Sequence, residues 1–443
     1  MDIIAKVGCA LQQLLGAIAE EVAVATAIIV RKRKFSGLSL ARTFVLGFLQ
    51  NPESSDEDLA QMAMVCGIEV TPQAIEQRHT AKLVEFFEQL FRRAVQVVVG
   101  SDRALASILE RFTSVIILDS TSITVPDSLK DRFPGCGGTY GRGQAGFKLQ
   151  AELDLRSGAL SHIEIEAGNS PDSATTRQQA ERPAGSLRIT DLGYFSVAVF
   201  SALTSAGVHF LSRLQFRTGV WMRNGELVDD LLPWLAEQKG PFVDVSILLS
   251  KAEQLPCRLL AWRLPPEQAN RRRQRLKKES QSKYGKQPSA ARLGWCDWTI
   301  LVTSVLEDKL RPEEAVILYR ARWQVELLFK RWKSQDKVAV LSGSTEVRQM
   351  VRVWTRLLTA LVQHWLLVSS AWGDPTRSLS KVCEAVRKFV GRLAAALDHP
   401  TILKEVIAEF CRTVAKTCRR NKRSKAGTFE LLNDVSLLDF SLT

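Results

Sequence analysis

Between residues 115 and 216 the chain alternates strand-like and helix-like segments in an order that few folds accommodate. The run Val115-Ile116-Ile117-Leu118 is β-branched and apolar, which is typical of a buried strand. The elements that follow are predicted to be a hairpin of two strands, a helix, a strand, a helix and a strand. They cover 147–155, 160–165, 170–185, 187–190, 196–206 and 209–216. The pattern therefore predicts a mixed α/β domain.

This order of elements indicates a ribonuclease H-like core. From 217 to 305 it gives way to short β-like runs, and the stretch from Arg271 to Lys286 holds eight basic residues and one acidic residue. We interpret this part as a β-rich insertion with a basic loop, although a solvated charge run has the same composition. The predicted fold class is α/β: a ribonuclease H-like catalytic core interrupted by a β-rich insertion, with helical N-terminal and C-terminal regions.

The predicted organisation has five consecutive parts. They are a helical N-terminal region at 1–110, the first part of the core at 111–216, the insertion at 217–305, the end of the core with a long helix at 306–335, and a helical C-terminal region at 336–443. Six glycines from 135 to 146 predict a mobile loop beside Asp119.

The chain is strongly basic, with 60 Lys and Arg against 47 Asp and Glu and a formal net charge of +13. This surplus favours a polyanionic partner, either nucleic acid or an anionic membrane surface. The apolar run at 357–372 is shorter than the span of about 20 residues that a bilayer requires. Glu20 and Glu21 interrupt the N-terminal apolar run, so it does not resemble a signal peptide. We therefore expect a cytoplasmic protein that binds nucleic acid and no membrane.

Two aspartates directly follow predicted strands. Asp119 comes after the first buried strand, and Asp191 comes after the strand at 187–190. In a ribonuclease H-like sheet those strands are neighbours, so both carboxylates are expected at the same edge. Carboxylates that lie close together repel each other unless a divalent cation lies between them. A single aspartate in such a place is more often a simple strand-end residue, and only the shared placement favours a metal site.

A predicted helix from about 312 to 332 supplies a third carboxylate. Tyr319, Arg322, Glu326 and Lys333 have angular positions of about 0°, 300°, 340° and 320° on an ideal helix, so they share one narrow face. Apolar residues occupy the adjoining face. A carboxylate flanked by two cations and a phenol suits a metal ligand beside bound phosphates. An amphipathic helix with ordinary surface charges has the same pattern.

The spacing Tyr319-x2-Arg322-x3-Glu326-x6-Lys333 resembles the Tyr-Arg-Glu-Lys signature of bacterial insertion-sequence DDE transposases of the insertion sequence 4 type. Asp119, in the stretch 117–121, looks like the first catalytic aspartate of that family. Asp191, in the stretch 190–195, looks like the second. The resemblance covers about 113–335 and is weak in the two terminal regions.

This resemblance implies a metal-dependent transposase in which Asp119, Asp191 and Glu326 hold two Mg²⁺ or Mn²⁺ ions. It also implies that Tyr319, Arg322 and Lys333 bind DNA phosphates near the transposon end. In related enzymes that form hairpins, an aromatic residue of the insertion stacks on a flipped base. Trp298 is the best match, with Trp323 as its neighbour. A tryptophan packed in the core is an equally good interpretation of Trp298.

The terminal regions carry weaker predictions. A helix at about 56–66, a turn at Gly67 and a helix starting near Thr71 indicate a helix-turn-helix, with Arg78, His79 and Lys82 as candidate DNA contacts. Any all-helical domain contains such corners. The apolar helices of 336–443 need a partner surface, which is either the core or a second subunit. We expect a homodimer on DNA, because two transposon ends must meet.

The expected function is that of a bacterial, nucleoid-associated transposase. It would bind the terminal inverted repeats of its own insertion sequence, cleave DNA phosphodiesters by two-metal catalysis, and join the 3′ ends to target DNA. Two alternatives remain open at this stage. One is a catalytically silent inhibitor that binds the DNA ends, and the other is a metal-dependent nuclease of the same fold without strand transfer.

Overall fold

A computed structural model of the chain describes residues 2–29, 34–135, 144–238, 242–421 and 426–437. Most of the glycine-rich stretch at 135–146, predicted to be a loop, lies outside these residues.

The elements of the described residues are numbered in chain order. Helices α1 to α17 are Ile3–Gln12, Ala19–Ala25, Gly37–Gln50, Asp56–Val65, Pro72–Glu76, Ala81–Ala94, Ser107–Glu110, Val197–Ser205, Leu231–Glu237, Pro266–Tyr284, Ala290–Gly294, Pro312–Ala321, Trp323–Ser334, Glu346–Ala371, Leu379–Ala396, Pro400–Thr417 and Thr428–Asn433. Strands β1 to β9 are Val115–Thr124, Gly146–Asp154, Leu160–Ala167, Leu187–Thr190, His209–Arg213, Val220–Met222, Phe242–Leu249, Leu255–Arg263 and Trp298–Thr303.

The chain forms two compact units, each built from three segments. Unit 1 contains Met1–Leu105, Asp119–Ser170 and Gln324–Arg423. Unit 2 contains Ala106–Leu118, Pro171–Trp323 and Ser424–Thr443. The strand β1 begins in unit 2 and ends in unit 1.

The sheet of unit 2 has the strand order β1-β4-β5-β9-β8-β7-β6. β1 runs parallel to β4 with Val115 opposite Leu187, and β4 runs parallel to β5 with Leu187 opposite His209. The remaining neighbours are antiparallel. Parallel strands are covered on both faces and need continuous apolar sequence. The first four residues of β1 and all of β4 are accordingly buried.

The prediction of a helix at 170–185 is wrong. The chain there forms two short 3-10 turns, Asp172–Ala174 and Thr176–Gln179, with extended backbone at Thr175 between them. The buried guanidinium of Arg188 donates hydrogen bonds to the main-chain oxygen and the side-chain Oε1 of Gln178. Because these carbonyl groups bind a neighbouring strand's side chain, the segment has a tertiary partner that its local sequence does not reveal.

The basic segment of the insertion was predicted to be a loop, and this is also wrong. Residues Pro266–Tyr284 form helix α10, which ends at Gly285 with φ of 62°. Arg, Lys, Gln and Glu are good helix formers, proline is favoured in the first turn, and glycine is favoured in the left-handed position after the last turn.

The predicted helix at 312–332 is two helices, α12 and α13, which are separated by Arg322. The Arg322 amide bonds to the Tyr319 carbonyl, three residues earlier, instead of one four residues earlier. The angular positions given above therefore apply within each helix and not across the break.

Unit 1 is built around α14, which packs against α3, α6, α15 and α16. Its residues from Leu357 to Val368 are buried on all sides, as expected for a helix in the centre of a core. Trp354 of α14 stacks on Phe147 of β2, with ring centroids 5.2 Å apart. The apolar faces of the C-terminal helices are thus covered inside unit 1, and a dimer is not needed to bury them. The dimer stays a prediction.

Within the described residues, one helical stretch, Ile3–Ala25, has the length and apolar composition of a membrane span. A π-helical segment, Gln13–Ile18, joins α1 and α2 in this stretch. Its buried side packs on α16, α14 and α3 in unit 1.

The turn between β2 and β3 gives a stability prediction. Gly158 has φ of +75°, and a Cβ there would lie 2.5 Å from Cδ2 of Trp372. Gly67 also has a positive φ, +78°, but its Cβ would meet nothing within 4 Å. Gly67→Ala should cost about 1 kcal/mol for the left-handed backbone alone. Gly158→Ala should cost about 3 kcal/mol, since a clash is added. Thermal unfolding of both variants measures the difference, and equal losses would contradict the predicted contact with Trp372.

A buried carboxyl group predicts a pH dependence of stability. Burial raises the pKa of Asp336 to about 7, although Gln363 donates to both of its oxygens. The folded chain then keeps a proton that the unfolded chain loses near pH 4, so stability falls as pH rises from about 4 to about 7. Asp336→Asn should remove this pH dependence. Between pH 4 and pH 7 the native chain should lose up to about 4 kcal/mol of its free energy of unfolding that the variant does not lose. Unfolding curves from pH 4 to 8 test it, with exposed Asp131→Asn as control; parallel profiles for the variant and the native chain would refute it.

Candidate active site

Both predicted aspartates follow directly on buried, paired parts of their strands. The prediction that β1 and β4 are parallel neighbours is confirmed by the pairing of Val115 with Leu187 and of Ile117 with Ile189. Asp119 comes after Leu118 in β1, and Asp191 follows the last residue of β4. Each strand therefore changes from apolar to carboxylate at its carboxyl-terminal side.

In unit 1, Asp119 and Glu326 line the same cleft, which has a volume of about 470 Å³. β1 contributes Asp119, Ser120 and Thr121, and α13 contributes Glu326, Phe329, Lys330, Lys333 and Ser334. The Ser120 amide donates to Oδ1 of Asp119 at 2.9 Å. Burial lowers the pKa of Lys333. The cleft thus combines two carboxylates with two ammonium groups, a setting that suits a cation and a phosphate together.

In unit 2, Asp191 is bound by two residues of the predicted signature. The Tyr319 hydroxyl donates to Oδ1 of Asp191 at 3.3 Å, and Nη2 of Arg322 lies 3.9 Å from Oδ2. Burial, followed by the charge of Asp191, raises the pKa of Tyr319. The phenol therefore stays protonated at neutral pH and remains a hydrogen-bond donor.

Tyr319 and Arg322 also line a second cleft, of about 340 Å³, in unit 2. We call it the arginine pocket; its walls are Arg213, Trp262, Arg272, Thr299, Val316, Tyr319, Arg320, Arg322, Trp323 and Thr428. Burial, and then the charge of Arg213, lowers the pKa of Arg272 to about 10. Arg272 is thus still cationic at pH 7. Several guanidinium groups around one concave surface form a site for anions, and the fork geometry of arginine suits phosphate.

The two candidate stacking residues have different environments. Trp298 begins β9 and packs against the apolar cluster that includes Leu259 and Val302, so the interpretation as a core tryptophan fits it better. Trp323 is 53% exposed and lies in the wall of the arginine pocket. An exposed indole beside guanidinium groups is available to stack on a base.

The predicted helix-turn-helix residues are only partly available for contact. Thr71 caps α5 as predicted, but α5 ends after five residues at Glu76. The side chain of His79 is only 5% exposed, and its Nε2 lies 3.1 Å from Oδ1 of Asp56. The guanidinium of Arg78 lies over the Phe35 ring, and Lys82 donates to the Ala27 carbonyl. His79 therefore holds α4 against this segment and is not a surface contact.

Within the part of the chain that the structure describes, no three or more His, Cys, Asp or Glu residues come together as a metal site. The pair formed by Asp119 and Glu326 still fits magnesium, because Mg²⁺ is usually held by one or two carboxylates together with water and substrate phosphates. Their oxygen donors are also of the type that Mg²⁺ and Mn²⁺ prefer.

Sequence reasoning missed several residues of these two clefts. Lys330 lies between Glu326 and Lys333 on the same face of α13, so the helical spacing contained a signal for it. Arg213 ends β5, and the same rule of strand ends that selected Asp191 applies to it. Arg272 had no local signal, since its role depends on how α10 packs.

A family model described as the transposase DDE domain matches residues 110–362, more than half of the chain. The chain therefore belongs to the family of proteins with a transposase DDE domain. It is similar to proteins named transposases for insertion sequence elements IS231B and IS231C, both from Bacillus thuringiensis subsp. berliner. The identity is 28% in each case, over 77% and 92% of this chain and 75% and 88% of the relatives. A transposase for insertion sequence element IS1151 from Clostridium perfringens is 24% identical over 87% of this chain and 86% of its own length.

The two tryptophans give a prediction that separates packing from surface exposure. Trp298→Ala should lower the free energy of unfolding by about 2 kcal/mol or more, because it removes a side chain packed on the core. Trp323→Ala should change it by less than about 0.5 kcal/mol, because its indole is mostly in solvent. Denaturant unfolding of both variants is the measurement. A larger loss for Trp323 than for Trp298 would reverse these assignments.

Proposed function

We propose that this protein is the transposase of an insertion sequence. It binds the terminal inverted repeats of its element, cleaves DNA phosphodiesters there, and joins the 3′ ends to target DNA. The observation that carries the proposal is the cleft of unit 1, in which Asp119 faces Glu326 and Lys333 of α13. The transposase DDE domain match over 110–362 supports the same reaction class.

Asp119, Asp191 and Glu326 are the proposed ligands of two Mg²⁺ or Mn²⁺ ions. Asp119 and Glu326 line one cleft, and the parallel pairing of β1 with β4 supports adding Asp191 as the third carboxylate. When bound, such ions activate water or a 3′-hydroxyl and stabilise the leaving oxygen.

The chain's own residues position the DNA. Lys333 and Lys330 neutralise phosphate charge at the carboxylates, as two cations on one helical face. Tyr319 orients the Asp191 carboxylate through its hydroxyl hydrogen bond, and Arg322 contributes positive charge beside that carboxylate. In the arginine pocket, Arg322 also faces a space that suits a phosphate, and Trp323 offers a stacking surface for a base. Trp298 supports β9 by packing against the apolar cluster of unit 2.

We assign the chain to the insertion sequence 4 type because the Tyr319, Arg322, Glu326 and Lys333 spacing follows that signature. We assign unit 2 a ribonuclease H-like core because β1, β4 and β5 are consecutive parallel neighbours. The protein acts as a homodimer on the DNA, in the bacterial cytoplasm and in association with the nucleoid. The net charge of +13 favours DNA as its partner.

Two other functions remain as rivals. A silent inhibitor would bind the ends and not cut them, and a nuclease would cut them and not join them. The carboxylates of the unit 1 cleft argue against the silent inhibitor. A strand-transfer assay, in which pre-cleaved end DNA and a target plasmid are supplied, separates the transposase from the nuclease.

Isosteric changes of the three carboxylates test the site. Asp119→Asn, Asp191→Asn and Glu326→Gln should each reduce metal-dependent cleavage of end DNA by about 10³-fold or more, because a metal ligand loses its charge. Binding of the same DNA without metal should change less than about threefold, and Glu307→Gln, on an exposed loop, should cleave normally. Cleavage rates with Mg²⁺ and gel shifts without it are the two measurements.

The cleavage rate of each variant tests only the residue that it substitutes. A variant that cuts at the native rate removes that residue from the site. Loss of DNA binding together with cleavage would instead indicate that the substituted side chain supports the fold.

A further inference from the structure

Helix α10 is unusual because most of its side chains are exposed to solvent. All of its residues are described, and Ala269 is the only buried one. The first half is attached to the sheet: Arg272 donates to the Trp298 carbonyl and to Oγ1 of Thr299, and Arg273 pairs with Asp297. From Lys277 to Tyr284 most side chains are exposed. A helix that is polar all round has no core to explain its sequence.

Three of the seven cations of α10 are arranged in a row on the side away from the sheet. With Arg271 at 0°, Arg275 and Lys278 lie at about 40° and 340° on an ideal helix, whereas the attached Arg272 and the half-buried Leu276 lie at about 100° and 140°. We call Arg271, Arg275 and Lys278 the α10 row. All three are exposed. Arg275 pairs with Glu279, and Arg271 and Lys278 have no ion pair with other described residues.

This arrangement works against the stability of the helix. Arg271 and Arg275 are four residues apart, Arg275 and Lys278 are three apart, and the pairing of Arg275 with Glu279 offsets part of their repulsion. A like-charge pair four residues apart destabilises a helix by about 0.2–0.5 kcal/mol. A bound polyanion removes that repulsion, so the sequence is better suited to a complex than to the free protein.

The α10 row also begins beside the arginine pocket. Arg272 lines that pocket together with Tyr319, Arg322 and Trp323, and all four belong to unit 2. The residues of the row flank Arg272 in the chain and extend along the helix toward Tyr284. Positive charge therefore continues from the pocket along the row, which spans about 10 Å of the helix axis.

We propose that the α10 row binds the sugar-phosphate backbone of double-stranded DNA, independently of base sequence. This inference rests on the proposed function in taking DNA as the polyanion. Flexible cationic side chains that meet phosphates position a protein on DNA and do not specify sequence. Proteins that hold single strands add aromatic side chains on which bases stack. The row has none, and the exposed aromatic of α10, Tyr284, lies at its far end.

The test uses the full chain, a 30-base-pair duplex without terminal repeats, and no divalent metal. Arg271→Gln/Lys278→Gln removes two cations of the row, and glutamine keeps the helix because it is a good helix former. Arg223→Gln/Lys251→Gln removes two exposed cations elsewhere in unit 2 and is the matched control. Affinity is measured by fluorescence anisotropy from about 50 to about 200 mM salt.

Each phosphate contact contributes about 0.9 to the slope of log affinity against log salt. The row variant should therefore reduce the slope by about 1–2 and lower the affinity near 0.1 M salt by about tenfold or more, and the control should keep the native slope. Arg271→Lys, which preserves the charge, should also keep it. Equal slopes for the row variant and the control overturn the proposal. Affinity is also measured for a 30-nucleotide oligothymidine strand, and a variant that loses affinity for this single strand but not for the duplex overturns the proposal as well.

Thermal unfolding of each variant separates loss of binding from loss of fold. The assay contains no metal and measures no cleavage, so its outcome is independent of the triad. A native chain that binds the duplex through the row but never cuts DNA would refute the proposed function and leave this surface in place.

Discussion

The buried guanidinium of Arg356 ties the centre of unit 1 to the helix that carries Glu326. Arg356 lies on α14 and is fully buried. It donates to the Pro52 carbonyl, to the Lys337 and Val340 carbonyls, and to the Ser342 hydroxyl. Burial lowers its pKa to about 10, which still leaves it cationic at neutral pH. The segment from Lys337 to Ser342 comes shortly after α13, and Pro52 lies in the loop between α3 and α4. The guanidinium of Arg356 therefore joins the segment after α13 to that loop. A neutral side chain there would remove the donor from the buried Pro52 carbonyl and from the partly buried Lys337 and Val340 carbonyls. The cleft that joins Asp119 to Lys333 depends on that anchor, since α13 supplies most of its wall.

The strands of the core could be predicted because a strand that is buried on both faces has consecutive apolar or β-branched residues. Val115 to Leu118 and Leu187 to Thr190 are buried on both faces, so their sequences are apolar or β-branched along their whole length with few exceptions. The hairpin expected from 147–155 and 160–165 is confirmed by the antiparallel pairing of β2 with β3, and the positive φ of Gly158 in its turn favours glycine. The prediction of a helix at 170–185 was wrong. The main-chain and side-chain carbonyls of Gln178 accept hydrogen bonds from Arg188 of β4, and the local sequence of 170–185 contains no signal for this contact. Helix α10 was taken for a loop because its charge suggested solvent, and exposure to solvent does not prevent a helix.

The candidate site divides in the same way. Asp119, Asp191 and Glu326 have signals in strand ends and helical spacing, and Lys330 had one that was not used. Arg213 had an unused signal as the last residue of β5, whereas Arg272 joins the arginine pocket only through packing, which no local pattern contains. His79 looked like a surface contact in sequence, yet burial lowers its pKa and Asp56 occupies its Nε2. Short polar residues near helix ends serve structure and binding equally well, and only burial separates these roles.

The exposure of α10 has a consequence for motion. Beyond Leu276 most of its side chains are exposed to solvent, so its turns depend mainly on main-chain hydrogen bonds within the helix. Isolated helices of fewer than about 12 residues are marginal in water, so the last two turns should open and close far more often than the sheet that carries them. Their amide protons should exchange with solvent early, whereas those of β8 and β9 exchange late. A partner that binds this end as a helix orders it, and the entropy lost on ordering reduces the affinity that charge alone would give.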